Sequence, residues 1–177
     1  FCDSNGQIWV GHISGLSIYE NSSNSFQNFI SPYGPVTNIA ELYPEHYLTI
    51  VGKRLMIFDQ EKGDFTKENL PSSLASIKAT ALYSCNDTIY IGTEDGQCFS
   101  IDRLLKNVKH LAADMPDSQI NCMLQDSPDK IWVGTEDAGL WEISLDENSC
   151  RAVDDMLGSK STKIISLPSA ALTIDTS

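Results

Sequence analysis

Two pairs of adjacent carboxylates, Glu94-Asp95 and Glu136-Asp137, recur 42 residues apart, each after a threonine and shortly before a glycine. Facing carboxylates could serve as the acid and the nucleophile of a glycosidase, or as oxygen ligands for calcium. Both pairs, however, read as polar turns between apolar strands, where acidic residues occur without any chemistry. No catalytic residue is therefore expected, and the four carboxylates stay as candidate ligand contacts. Asp3-Ser4-Asn5-Gly6 opens like a calcium loop but lacks the later acidic ligands, so it reads as a turn. His12, His46 and His110 fall at unrelated places, and the five cysteines show no C-x-x-C spacing, so neither a metal nor a cofactor is expected. The sequence has no Gly-rich phosphate loop, G-x-S-x-G or H-E-x-x-H motif.

What must position these turns is a repeat. KIWVGTEDAGLWEIS (130–144) is echoed by QIWVGHISGLSIYE (7–20), more faintly by YLTIVGKRLMIFD (47–59), and by TIYIGTEDGQCFSID (88–102). The marker glycines Gly11, Gly52, Gly92 and Gly134 fall at steps of 41, 40 and 42 residues. A fixed period of this size indicates a repeat architecture. Each full repeat holds four short strands: 36–42, 47–52, 54–59 and 64–70; 78–84, 88–92, 97–102 and 108–113; 120–126, 130–134, 139–144 and 150–156. The first repeat keeps strands two to four, and only Phe1 and Cys2 are left to stand for its opening strand.

Strands two and three are apolar at nearly every position, as strands covered on both faces are. Four short antiparallel strands per period, stacked against like neighbours, describe a β-propeller blade. The expected fold is all-β: one propeller segment over 1–177, with repeat units at about 1–30, 36–70, 78–113 and 120–156 and the start of a further blade at 162–177. An arc of a larger propeller is expected rather than a four-bladed ring closed by 162–167. The glycine ending strand two is expected to turn with positive φ and to let an aromatic of the next blade close in. Trp9, Tyr90 and Trp132, two residues before it, read as packing between blades.

The formal charge of −12 argues against nucleic acid or an anionic membrane surface as partner, since both need clustered Lys and Arg. No apolar run approaches the ~18 residues of a membrane span. The chain opens partway through a repeat and reads as a piece of something longer. The cysteines read as small buried hydrophobes, with Cys85 and Cys98 too far apart to bridge.

DSNGQIWVG followed by GLSIYE, and KIWVGTEDAGLW, resemble the two-component regulator propeller repeat. The likeness spans nearly the whole chain and is weakest in the second repeat, where 51–54 lack the tryptophan and the loop. It implies the periplasmic sensor region of a hybrid two-component histidine kinase. Such a segment would be non-catalytic, would report on glycans or their breakdown products, and would be joined to a receptor that dimerises. Two other functions stay open on the residues themselves: a propeller enzyme acting on polysaccharide, and an interaction scaffold without a small ligand.

Recognition is expected where loops vary on a rigid scaffold. Those loops are the turns between strands two and three (His12 to Ser14, Lys53, Glu94-Asp95, Glu136-Asp137) and the connectors to the next repeat (31–34, 71–73 and 116–118), all emerging on one face. Tyr33 is the one aromatic among them outside the repeated pattern, and is the candidate for stacking on a sugar or touching a partner.

Overall fold

A computed structural model describes residues 1–153. Every named element in it is a β-strand, and the strands of each sheet pair antiparallel with their neighbours in sequence. The first sheet holds β1 (Trp9–His12), β2 (Gly15–Glu20) and β3 (Ser25–Ile30). The second holds β4 (Val36–Tyr43), β5 (His46–Val51), β6 (Arg54–Asp59) and β7 (Asp64–Thr66). The third holds β8 (Ala79–Cys85), β9 (Thr88–Thr93), β10 (Cys98–Asp102) and β11 (Lys109–Leu111). The fourth holds β12 (Ile120–Ser127), β13 (Lys130–Thr135), β14 (Leu140–Ser144) and β15 (Ser149–Ala152). These are the meandering four-stranded sheets expected of propeller blades. The first is one strand short, and Phe1 and Cys2 stand in for the missing strand. Cys2 bridges Ile8, while Phe1 and Trp9 exchange bonds of 2.8 and 3.0 Å. The strands read at 162–167 and 170–176 lie outside the described residues.

The outer strands β7 and β11 are shorter than the runs 64–70 and 108–113 suggested. Asn69 (φ 65°) and Ala112 (φ 46°) turn the chain out of the extended region before those runs end.

The described residues divide into two compact units, Phe1–Ala79 with Asp102–Asn107, and Thr80–Ile101 with 108–153. In the first, Trp9 (1% exposed) meets the ring of Tyr47 at 3.9 Å and the edge of Phe58 at 5.9 Å. Phe29 and Phe65 also close on Phe58, at 5.0 and 4.9 Å. In the second, Ile131, Val133 and Ile143 share one face of the fourth sheet and pack with Tyr90, Cys98 and Met123 of the neighbouring strands. Trp9 and Tyr90 thus pack between blades, as their recurrence implied. The middle strands β5, β6, β9 and β10 are buried on both faces, whereas Ile8 and Val10 of the first sheet are exposed.

The marker glycines need correction. Gly11, Gly92 and Gly134 do not have positive φ; they are required by close approach, and not by an aromatic. A Cβ on Gly11 would lie 2.4 Å from the Val36 carbonyl oxygen, and one on Gly92 2.4 Å from Ile120 Cγ2, both on the first strand of the following sheet. A Cβ on Gly134 would lie 2.7 Å from Cys122 Sγ of its own sheet. Gly52 belongs to a different class. Gly11 pairs with Leu16 one step inside His12↔Gly15, and the same place one step inside Val51↔Arg54 is taken by Ile50, opposite Leu55. Gly52 (φ 54°) and Lys53 (φ 67°) are the two central residues of a tight hairpin turn that needs positive φ at both.

All five cysteines are free. Cys98 and Cys122 are buried, and burial pushes the Cys98 thiol up to about 12. Cys85 and Cys150 are half-buried and Cys2 is exposed, so the reading as buried hydrophobes holds for two. Cys2 differs because only its backbone joins the first sheet.

Candidate ligand-binding site

Within each unit the turns and connectors meet in pairs. In the first, the connector 31–35 receives contacts from both sides. Ser31 N–H donates to Ser14 O (2.9 Å), Gly52 N–H to Pro35 O (2.9 Å), and Arg54 Nη1 to Tyr33 O (3.3 Å). In the second, Glu136 N–H donates to Gln119 O (2.8 Å), the Ser118 hydroxyl to the Asp137 carboxylate, and Asp137 N–H back to Ser118 Oγ (3.3 Å). The loop elements read as candidates are therefore adjacent to one another, held by backbone bonds rather than left to wander.

Tyr33 is 46% exposed. It lines a groove of about 490 Å³ with Arg54, Met56, Phe65, Thr66 and Lys67. Arg54 and Lys67 each donate to a backbone carbonyl, Tyr33 O and Ala75 O (2.8 Å), and neither pairs with a carboxylate among the described residues. An exposed ring beside apolar side chains and polar donors can stack on a ring-shaped ligand and bond its oxygens.

The other candidates have structural duties. His12 Nδ1 accepts from Ser14 N–H (3.2 Å), while its Nε2 lies 3.1 Å from Ser17 Oγ, whose hydroxyl donates to Asn28 Oδ1 (2.6 Å). Because the Ser17 proton is committed to Asn28, His12 must donate from Nε2, which sets the neutral tautomer. Asp95 is held by Thr93 Oγ1 (2.5 Å) and Gln97 Nε2 (2.9 Å), and Asp137 by Ser118, so both carboxylates organise their own turns. Glu94 is half-buried, and Glu136 and Lys53 are exposed.

Three residues were not singled out by sequence. Thr93 and Thr135, both buried, close the turns at the register of His12: Thr135 Oγ1 donates to Gly139 O (2.8 Å) and accepts from Ala138 N–H (3.1 Å). Glu142 is the third. It pairs with Trp132 across the sheet, the place held by Ile18 opposite Trp9 and by Ile57 opposite Leu48. The signal was present in GLWEIS, as a charge at a position that is isoleucine in the first two repeats and Ser100 in the third.

The profile of the two component regulator propeller family matches residues 114–137. No curated protein sequence matches the chain. Among solved structures, the extracellular domain of the putative one component system BT4673 of B. thetaiotaomicron superposes with a TM-score of 0.68 at 20% identity, over 90% of this chain and 23% of that one. The extracellular domain of the putative hybrid two component system BT3049 of the same organism gives 0.57 at 22%, over 83% and 22%. The computationally designed Ika4 protein gives 0.60 at 13%, over 81% and 88%. At these identities the likeness defines the fold, an all-β arrangement of propeller blades, and the chain spans about a quarter of the length of the two natural relatives.

Proposed function

We propose that the chain is part of the extracytoplasmic sensor region of a two-component receptor, that it lies in the periplasm, and that it binds a glycan or a glycan fragment without transforming it. The observation that carries this reading is the two component regulator propeller match at 114–137. The likeness to the extracellular domains of a putative one component system and a putative hybrid two component system supports it. In the receptor the segment would pass its state to a histidine kinase module, with two copies of the receptor paired. The non-catalytic character is supported by the carboxylates of Asp95 and Asp137 being committed to their own turns. The test is a transcriptional reporter driven by the full-length receptor in cells given a panel of plant and host glycans. A response to one glycan class supports the reading, and silence to every class together with turnover of any of them would replace it with an enzyme.

Within this reading Tyr33 is the ligand contact. Tyr33→Ala should weaken glycan binding by the full receptor about tenfold, the worth of one stacking ring. Its unfolding free energy should change by no more than about 0.5 kcal/mol, because the side chain is half in solvent. Unchanged affinity with lost stability would make Tyr33 a packing residue.

A further inference from the structure

We infer that the Tyr33 groove takes an acidic sugar, one carrying a carboxylate or a sulfate, in preference to a neutral one. The inference rests on the proposal that Tyr33 is the glycan contact, and adds to it the class of glycan.

The charge of the wall runs against that of the chain. Acidic side chains outnumber basic ones, 24 against 12, yet the groove is lined by Arg54 and Lys67 and by no carboxylate among the described residues. The carboxylates nearest in sequence are engaged elsewhere. Asp59 bonds Lys62 (2.9 Å) and holds it charged above the usual lysine range, with Asp64 and Glu68 adding to the effect. Arg54 and Lys67 are both exposed. Each makes a single hydrogen bond to the protein, to Tyr33 O (3.3 Å) and to Ala75 O (2.8 Å). A guanidinium carries five N–H donors and an ammonium three, so four and two remain without a partner among the described residues. The backbone of a further basic residue, Lys78, bridges Arg54.

The rest of the wall selects what carries the charge. Beside the exposed ring of Tyr33, Met56 and Phe65 give the groove an apolar side. A bare anion would gain nothing from these groups, whereas the C–H face of a sugar ring packs on them. Arg54 is bonded to the backbone of the residue that supplies the ring, so a sugar stacked on Tyr33 has its edge substituents within reach of the guanidinium. The planar fork of Arg54 suits a carboxylate or a sulfate through two parallel bonds, and Lys67 adds a point charge. The volume of about 490 Å³ falls within the ~300–1,000 Å³ of small-ligand sites.

The test is calorimetric titration of the full receptor with matched pairs. One pair is an oligogalacturonide and its methyl ester, which removes the charge and keeps the ring; the other is a sulfated galactan disaccharide and its desulfated form. At least one acidic member should bind, with its neutral counterpart about tenfold weaker, the worth of one charge-assisted bond. The pair that responds tells carboxylate from sulfate. Arg54→Gln and Lys67→Gln should each weaken the acidic member about fivefold or more and leave the neutral one unchanged. Tyr33→Ala should weaken both members alike. Equal binding within both pairs, still weakened by Tyr33→Ala, overturns the acidic class and leaves Tyr33 as the glycan contact. A charge preference that survives either Arg54→Gln or Lys67→Gln places the acid elsewhere and overturns the inference. Failure of both acidic members to bind overturns it too, and takes the Tyr33 proposal with it only if no neutral glycan binds through Tyr33. The pairs are compared on the wild type, so the preference is measured even if a variant fails to fold.

Discussion

Replacing Asp3 with alanine is expected to lower the unfolding free energy by about 3–5 kcal/mol, from a residue that looks like an ordinary turn former. Its carboxylate takes four hydrogen bonds. Oδ1 accepts from the Asn5 and Gln7 amides (3.0 and 2.9 Å), and Oδ2 from the Trp9 indole and the Tyr47 hydroxyl (both 3.0 Å). The last two donors are buried in the aromatic core, so truncation leaves two polar groups without partners at about 1–3 kcal/mol each. Burial pushes the Asp3 carboxyl up, but the bonds from Trp9, Gln7, Tyr47 and Asn5 outweigh it and hold it below the usual range. A depressed carboxylate stabilises the fold above its unfolded value of ~3.9, and that stability disappears as pH falls through the folded value. Urea titrations at pH 7 and in acid check both points. The wild type should lose more stability than Asp3→Ala on acidification, and equal losses would remove Asp3 from this role. Tyr47 has the opposite sense: burial, then Asp3, raises its hydroxyl, so stability falls once pH climbs past ~10 and the unfolded chain ionises.

Gly96→Ala should cost about 3 kcal/mol or more, and Gly139→Ala only about 1 kcal/mol, although the two glycines have nearly the same backbone angle. Gly96 (φ 78°) and Gly139 (φ 79°) both sit in the turn between the second and third strands. The left-handed conformation penalises alanine alike at both. The difference is what a Cβ would meet. At Gly96 it would lie 1.9 Å from Pro116 O and 3.1 Å from Ser118 N, and at Gly139 nothing lies within 4 Å. Relief at Gly96 means moving the connector backbone, and with it Ser118 and its bond to Asp137. Chemical denaturation of the two variants side by side measures the gap, and equal losses would mean that the connector yields freely.

The strands could be read from sequence because each is short, apolar and bounded by turn residues, and because the period repeats those bounds. Pairings such as Gly11↔Leu16 and Gly134↔Leu140 fall where the repeat placed them. The second repeat misled because Gly52 lies near the right count for a physical reason of its own, the hairpin turn, while Ile50 holds the register. Asp3 could be read as a turn residue and no more, since its partner Tyr47 is 44 positions away. The candidate loops were legible as polar interruptions, and their contacts with the connectors were not, because Ser14 O, Pro35 O and Gln119 O are backbone groups common to any sequence. Glu142 is a different case. Aligning the repeats by register would have exposed a charge where the first two sheets hold isoleucine and the third holds Ser100.

The distribution of tryptophan gives each compact unit its own optical reporter. The chain has three tryptophans. Trp9 lies in the first unit, sealed among Tyr47, Phe58 and the Asp3 carboxylate; Trp132 and Trp141 lie in the second, both only partly buried. Indole emission moves to longer wavelength and becomes open to quenchers on exposure to water. The light from Trp9 should therefore be blue-shifted and shielded from iodide, against a redder and more quenchable background from the other two. A chain carrying Trp132→Phe and Trp141→Phe would emit from Trp9 alone. Its unfolding curve would then follow the first unit by itself, without a label attached anywhere on the protein.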